Sequence, residues 1–305
     1  MSATTAIELR GISKSYGEFA AVRNLSFTVM RGSTFGFLGP NGAGKTTTIR
    51  MIVNITVPDE GEIEILGARP SPQLQTRIGY LPEERGLYKK MKVRDQLLFF
   101  AGLKGVSGVD AASRIQRWGQ RLQIAEWLDK KAEELSKGMQ QKIQFIATIL
   151  HEPELLILDE PFSGLDPVNT NLLIEVIQEL KQAGRTIIFS THMMEQVERL
   201  CDDICLINKS QKVLGGNLRT VKREFALNKV ALCYDGGGDF LHQNGLVKQV
   251  DRFANHIELA LADGADPQEL LRRAIESGAR ISRFELIEPS LNEIFIAKVG
   301  KADEH

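Results

Sequence analysis

The segment Gly39-Pro40-Asn41-Gly42-Ala43-Gly44-Lys45-Thr46 constrains this chain more than any other. It lies between the apolar run Phe35-Gly36-Phe37-Leu38 and a helix-like stretch, Thr47 to Val53. A strand, a glycine turn and a helix in that order leave the backbone N–H groups of the turn free to point inward. Glycine makes this possible because it has no side chain to hold the backbone away from an anion. The helix N-terminus adds a favourable dipole. The spacing G-x-x-x-x-G-K-[ST] is that of a loop that wraps phosphates. On this reading Lys45 binds the β- and γ-phosphates, and the Thr46 hydroxyl ligates Mg²⁺.

A second motif complements the first. Leu155-Leu156-Ile157-Leu158 is an apolar strand that ends in Asp159 and Glu160, and Pro161 then stops regular pairing. Asp159 at the strand end is placed to meet Mg²⁺ beside Thr46. Glu160, the next residue, points elsewhere and can orient or deprotonate an attacking water. Ser136 and Gly138, in Leu135-Ser136-Lys137-Gly138-Met139-Gln140, open a further helix and form a second anion site. Ser163-Gly164-Leu165-Asp166 follows the acids. His192 ends the strand-like Thr186–Ser190 region as a donor within reach of a γ-phosphate.

The rest of the first 218 residues alternates strand and helix. Strands are expected at Ile7–Leu9, Leu25–Val29, Thr34–Leu38, Glu62–Ile65, Leu155–Leu158, Thr186–Ser190 and Ile204–Ile207. Several are unbroken apolar runs, as strands covered on both faces are. Helices start at Lys45, near Val168 and near Met193. This alternation predicts a mainly parallel sheet. Val93–Leu103, Asp110–Leu122 and Ser136–Leu150 all read as helices and interrupt it with a helical subdomain over about 90–150. From residue 219 a small α+β unit runs to 305. Val230-Leu232-Tyr234 and Ile257-Leu259-Leu261 alternate as half-buried strands, with Gly236-Gly237-Gly238 as a turn before another strand. Asp266-Pro267-Gln268-Glu269 caps one helix, stopped by Gly278; Ser290-Leu291-Asn292-Glu293 caps another, ended by Gly300.

Composition narrows the function. Lys plus Arg total 38 against 39 Asp plus Glu, so the net charge is −1. That balance argues against nucleic acid or anionic lipid held by bulk electrostatics. No apolar run approaches the roughly 20 residues that span a bilayer, and MSATTAIELR lacks the basic start and apolar core of a signal peptide. If the protein works at a membrane, another chain does the spanning. Cys201, Cys205 and Cys233 are too few for a disulfide framework and read as reduced thiols, with Cys201 and Cys205 buried in an apolar run.

In this order the motifs resemble those of the ATPase subunits of ABC transporters, over residues 5 to about 218. The resemblance implies a Walker A loop at Gly39–Thr46, with Pro40, Asn41, Gly42, Ala43, Gly44 and the following Thr47 around the nucleotide. It also implies a Q-loop region at Gly79–Glu84, a signature at Leu135–Gln140, Walker B at Leu155–Glu160, a D-loop at Ser163–Asp166 and a switch histidine at His192. The implied fold is α/β: a RecA-like P-loop NTPase core with an antiparallel β segment and a helical subdomain, plus the C-terminal α+β unit. Tyr16 is implied to stack on adenine. Two departures stand out: Glu83 occupies the usual glutamine position of the Q-loop, and the signature reads Ser-Lys-Gly-Met. Glu83 beside a γ-phosphate is repelled unless Mg²⁺ lies between them or its pKa rises. These motifs and the C-terminal extension are similar to the ABC-2-type exporter group, with sodium-export and multidrug-export ATPase subunits nearest.

From the resemblance follow the expected cofactors and partners. ATP and Mg²⁺ bind, and two copies, or this chain and a homologue, sandwich ATP head to tail. Lys45 and Thr46 of one subunit hold it, and Ser136, Gly138 and Asp166 of the other cap it. Glu160, Lys45 and His192 are the catalytic set; Thr46, Asp159 and Glu83 are the metal set. An integral membrane permease, encoded separately, docks in a groove formed by Glu83 to Phe100, with Arg85, Leu87, Tyr88 and Met91 as contacts. The expected location is peripheral, on the cytoplasmic face of the inner membrane. The C-terminal unit is expected to serve dimer contact or regulation. The alternative is a non-transport ABC ATPase acting on ribosomes or DNA; a single cassette, no long heptad arms and no basic excess weigh against it.

Overall fold

The computed structural model describes residues 4–84, 86–225, 229–236, 241, 245–262 and 264–299. The chain divides into two compact units, Met1–Leu218 and Arg219–His305. The first runs β1 (Thr5–Tyr16), β2 (Phe19–Met30), β3 (Thr34–Leu38), α1 (Lys45–Ile52), β4 (Glu60–Ile65), β5 (Ile78–Leu81), α2 (Val93–Leu103), α3 (Gly108–Arg121) and α4 (Lys137–Ile149). It continues through β6 (Leu155–Asp159), α5 (Pro167–Gln182), β7 (Thr186–Thr191), α6 (Met194–Leu200), β8 (Asp203–Asn208) and β9 (Gln211–Asn217), and α7 (Leu218–Glu224) follows.

Six strands form one sheet in the order β5-β6-β7-β3-β8-β9. All neighbours are parallel except the antiparallel edge β9. Every residue of β3, β6 and β7 is buried, which is why these strands read as continuous apolar runs. The antiparallel segment is β2-β1-β4. Ile7, Leu9 and Phe27 from it join Phe35, Phe37 and Ile157 of the main sheet and Ile49 of α1 in one core. The Phe27 ring stacks on Phe35 at 5.1 Å. Between β5 and β6 lies the helical insertion α2–α4. It is tied to the core where Arg121 of α3 pairs with Glu175 and Glu179 of α5.

Local chemistry explains the helix starts. Ser107 Oγ accepts from Asp110 N and so starts α3 two residues before the expected Asp110. Ser136 Oγ accepts from Met139 N and caps α4. Asp166 caps α5, with Pro167 at the first helical position, where its missing N–H costs nothing. The strands β5 and β9 escape the sequence pattern. The first is four residues long, and the second carries Gly215 and Gly216 at a sheet edge. Strand β1 outruns the expected Ile7–Leu9 because its second half is polar and broken by bulges.

Gly36 shows how tightly the main sheet is covered. A Cβ there would lie 2.9 Å from both Cys201 Sγ and Val197 Cγ1 of the α6 region. Alanine at this position forces helix and strand apart. Gly36→Ala is expected to lower stability by roughly 1–2 kcal/mol, read as a lower urea midpoint with an unchanged m-value. Cys205 is fully buried, and burial pushes its thiol up to about 12.

The second unit has an antiparallel sheet in the order β11 (Val247–Arg252), β12 (Ile257–Leu261), β10 (Lys229–Asp235), β13 (Arg280–Leu286). Helix α8 (Pro267–Glu276) places Leu270 and Ala274 in its core with Val230, Leu232 and Leu259. Asp266 caps α8 through Gln268 N. Ser290 and Glu293 form a reciprocal capping box at α9 (Leu291–Val299): Glu293 N donates to Ser290 Oγ, and Ser290 N to Glu293 Oε2. Gly237, Gly238 and Gly300 lie outside the described residues. Among the described residues no helix is long and apolar enough to cross a membrane.

Candidate functional site

Strand order assembles the site. β7 lies between β3 and β6, with Leu38 level with Thr191 and Ser190 level with Asp159. The strands are parallel, so the loops leaving β3, β6 and β7 all open at one edge of the sheet, beyond the strands' carboxyl ends. The glycine loop, the two acids and the His192 loop therefore meet although 120 residues of sequence separate Gly39 from Asp159.

The loop's geometry depends on glycine. Gly44 has φ +107°, and a Cβ there would lie 2.3 Å from the Ala21 carbonyl oxygen of β2. Lys45, the first residue of α1, is buried, and its ammonium donates to the carbonyls of Gly39 (2.8 Å) and Pro40 (3.2 Å). Burial pulls its pKa down, while Glu160, Asp159 and Glu83 act the other way. Lys45 is thus a buried cation surrounded by three carboxylates and held by its own loop.

Asp159 is fully buried. Burial raises its carboxyl pKa, opposed by hydrogen bonds from the Ser190 and Thr46 hydroxyls. Ser190 Oγ donates to Oδ1, whereas Oδ2 is buried without a hydrogen-bond partner. A buried carboxylate oxygen left without a partner fits a hard divalent cation, which takes oxygen ligands. Glu160 sits at φ +48°, a left-handed backbone conformation that costs a non-glycine residue about 1 kcal/mol or more. Its N–H donates to the Ser190 carbonyl at 3.1 Å. Its carboxylate is gripped on both oxygens: Oε1 lies 2.9 Å from His192 Nδ1, and Oε2 accepts from Thr191 Oγ1 at 3.3 Å.

These groups border a cavity of about 420 Å³ lined by Asn41, Gly42, Gly44, Lys45, Thr46 and Thr47, by Glu83 and Glu160, and by Phe19 and Ala21. Gly39 and Pro40 contribute the carbonyls that hold Lys45. Ala43 is buried in the core beneath. His192 reaches the cavity through Glu160. Tyr16 is not among the lining residues; it stands opposite Phe19 across the β1–β2 turn. Ser136, Gly138 and Asp166 do not line it either. A Cβ on Gly138 would lie 3.4 Å from the Gly164 carbonyl, so the α4 start and the Ser163–Asp166 loop adjoin each other. Phe19, Ser190 and Thr191 are site residues that motif reading passes over. The trace of them in the sequence is positional: Phe19 follows Tyr16 across two turn residues, and Ser190 and Thr191 precede His192 on a strand.

A second groove, of about 310 Å³, runs between β5, α2 and the end of α4. Tyr80, Leu87, Phe100, Leu103, Lys104 and His151 line it. Tyr88 stacks on Phe100 at 6.1 Å. Met91 is not a lining residue; its carbonyl accepts from Gln96 Nε2 and Ala132 N. Arg85 lies outside the described residues.

Comparison with known proteins agrees with this geometry. Residues 22–163 match the ABC transporter family, and residues 216–299 match the C-terminal domain of ATP-binding proteins like DrrA1-3. An uncharacterized ABC transporter ATP-binding protein of Bacillus subtilis, YhaQ, is 46% identical over 96% of this chain and 98% of its own. A Nod factor export ATP-binding protein I of Rhizobium meliloti is 34% identical over 98% of this chain and 89% of its own. Among solved structures, an ATP-binding subunit of an ABC transporter superposes with a TM-score of 0.68 at 32% identity, covering 72% of this chain and 93% of that one. With its glycine loop, paired acids and strand-end histidine at one sheet edge, the chain belongs to the ABC transporter ATP-binding proteins, a family that hydrolyses ATP, and carries a DrrA-like C-terminal domain.

Proposed function

We propose that this chain powers an ABC-2-type membrane exporter by binding and hydrolysing ATP with Mg²⁺ as a dimer. The observation that carries the reading is the grip of His192 and Thr191 on Glu160 at the rim of a cavity whose other wall is the Lys45 loop. In the proposed mechanism the cavity binds the triphosphate, and Lys45 exchanges the Gly39 and Pro40 carbonyls for phosphate oxygens. Thr46, Asp159 and Glu83 would hold Mg²⁺, which supplies neutralising charge for phosphoryl transfer. Glu160 takes the proton of the attacking water, and His192 keeps its carboxylate oriented.

Ser136, Gly138 and Asp166 lie outside the cavity of their own subunit, which supports a reading in which they cap the nucleotide of a second copy. ATP then favours the closed dimer through its higher affinity for that state, and loss of the γ-phosphate releases it. The groove beside Tyr80, Leu87 and Phe100 supports docking of a segment of a separately encoded membrane permease. The subunit would then sit peripherally on the cytoplasmic face of the inner membrane, held by shape rather than by charge. The exporter reading draws on the Nod factor export relative.

Two experiments test this reading. Purification from mildly solubilised membranes should recover the chain with a polytopic protein; recovery with ribosomes or DNA instead would contradict it. Glu83→Gln replaces a charged ligand by a neutral one and should raise the Mg²⁺ concentration for half-maximal hydrolysis roughly fivefold. An unaltered Mg²⁺ dependence removes Glu83 from the metal set.

A further inference from the structure

We propose that Gln141 and Gln144 of α4 are positioning residues for the two carboxylates of the cavity: Gln141 acts on Glu160 through the Pro161 carbonyl, and Gln144 on Glu83 through the Glu84 carbonyl. The proposal rests on the hydrolytic reading of that cavity and deepens it. Gln141 is 2% exposed and Gln144 6%. They stand three residues apart on α4, so they share one face of the helix. Gln141 Nε2 donates to the Pro161 carbonyl at 3.0 Å. Gln144 Nε2 donates to the Glu84 carbonyl at 3.2 Å. Each acceptor belongs to the residue next to a cavity carboxylate: Pro161 follows Glu160, and Glu84 follows Glu83.

The backbones that carry these carboxylates need an outside hold. Glu160 sits at φ +48° at the head of a tight turn, where Ser163 N donates to its carbonyl. A left-handed residue persists only where its surroundings over-determine it, and the Gln141 bond fixes the next peptide of that turn. Glu83 lies beyond the end of β5 at Leu81, outside any regular element, so no strand ladder sets it. Gln144 Oε1 is buried and has no hydrogen-bond partner among the described residues. That half-satisfied amide costs stability which an apolar side chain of equal length would avoid. What the amide contributes is the hold on Glu84. α4 itself is anchored, since the buried Lys142 donates to the Leu122 carbonyl at 3.0 Å. The helix that opens on Ser136 and Gly138 therefore carries both holds, and a shift of that helix moves Glu160 and Glu83 together. Gln144 also lines the second groove, so whatever fills that groove meets the side chain that sets Glu83.

Double-mutant cycles test the assignment, because a residue that acts through a carboxylate loses its effect once that carboxylate is replaced. Gln141→Met should lower kcat roughly tenfold, as a small misplacement of a reacting group does. Its Kd for ATP and its ATP-dependent dimer should match wild type. In Glu160→Gln the same change should lower the residual rate no further. Gln144→Met should cut the gain in ATP affinity on adding Mg²⁺ roughly threefold, and should cut it no further in Glu83→Gln. A multiplicative loss in either double variant overturns the proposal, as does a wild-type kcat in Gln141→Met. ATP binding weakened equally with and without Mg²⁺ in Gln144→Met overturns it too. Gln141→Asn and Gln144→Asn keep the amide but shorten its reach, and they carry the same cycles where a methionine variant does not unfold cooperatively. If Glu160→Gln or Glu83→Gln leaves its own readout unchanged, the role of that carboxylate falls, and the glutamine assigned to it falls with it.

Discussion

Glu160→Gln is expected to lower steady-state ATP hydrolysis by about 10²–10⁴-fold, the range a positioned general base contributes. The substitution is nearly isosteric. The glutamine carbonyl can still face His192 Nδ1, now 2.9 Å from Glu160 Oε1, and the new amide can donate to Thr191 Oγ1. The backbone at φ +48° is no worse for glutamine than for glutamate. Geometry therefore survives while proton acceptance is lost. ATP binding should be retained, so the variant should accumulate as an ATP-bound dimer, visible as a doubled mass by light scattering only when ATP is added. Hydrolysis at the wild-type rate would remove Glu160 from the role of base. Loss of activity without ATP-dependent dimer would instead point to a disturbed site.

Lys45→Ala is expected to weaken ATP binding about 100-fold, because charge-assisted hydrogen bonds to two phosphates are lost in a buried setting. The apo fold should tolerate it. Burial already disfavours the ammonium, as the downward pull on its pKa records, and its bonds go to two loop carbonyls. Removing a partly uncompensated buried charge offsets much of the lost bonding. The contrast appears in thermal unfolding. At an ATP concentration 100 times the wild-type Kd, ligand stabilises the native chain by about 2.7 kcal/mol, and a 100-fold weaker site leaves about 0.4 kcal/mol. Equal ATP-induced stabilisation in both proteins would exclude Lys45 from phosphate binding. A variant destabilised without ligand would show that the lysine mainly supports its loop.

Both predictions concern residues visible in the chain, yet their neighbours were not equally visible. Lys45, Asp159 and Glu160 stand in motifs whose spacing is local, and backbone geometry within a few residues makes such motifs recognisable. Helix starts such as Ser136 and Asp266 are legible for the same reason, since a side-chain oxygen serves an N–H two or three residues on. Strands β5 and β9 are less so, because one is too short and the other too glycine-rich to alternate. Phe19 is invisible to motif reading. Its place at the cavity depends on the pairing of β1 with β2 and on the approach of Gly44 to Ala21, which no short window contains.

The sequence by itself determined the class of fold and the chemical types of the candidate site: a glycine loop with a lysine, a strand ending in two acids, a histidine after another strand. Each follows from interactions among near neighbours along the chain. Only the tertiary structure decided how they meet. The order β6-β7-β3 puts the strand of Ser190 and Thr191 between the loop strand and the acid strand, so Ser190 serves Asp159 and Thr191 serves Glu160. Strand order is a choice among long-range pairings of similar apolar strands, and its energy comes from packing the whole sheet rather than from any one segment. The same packing left Ser136, Gly138 and Asp166 outside the cavity and brought Phe19 to its edge.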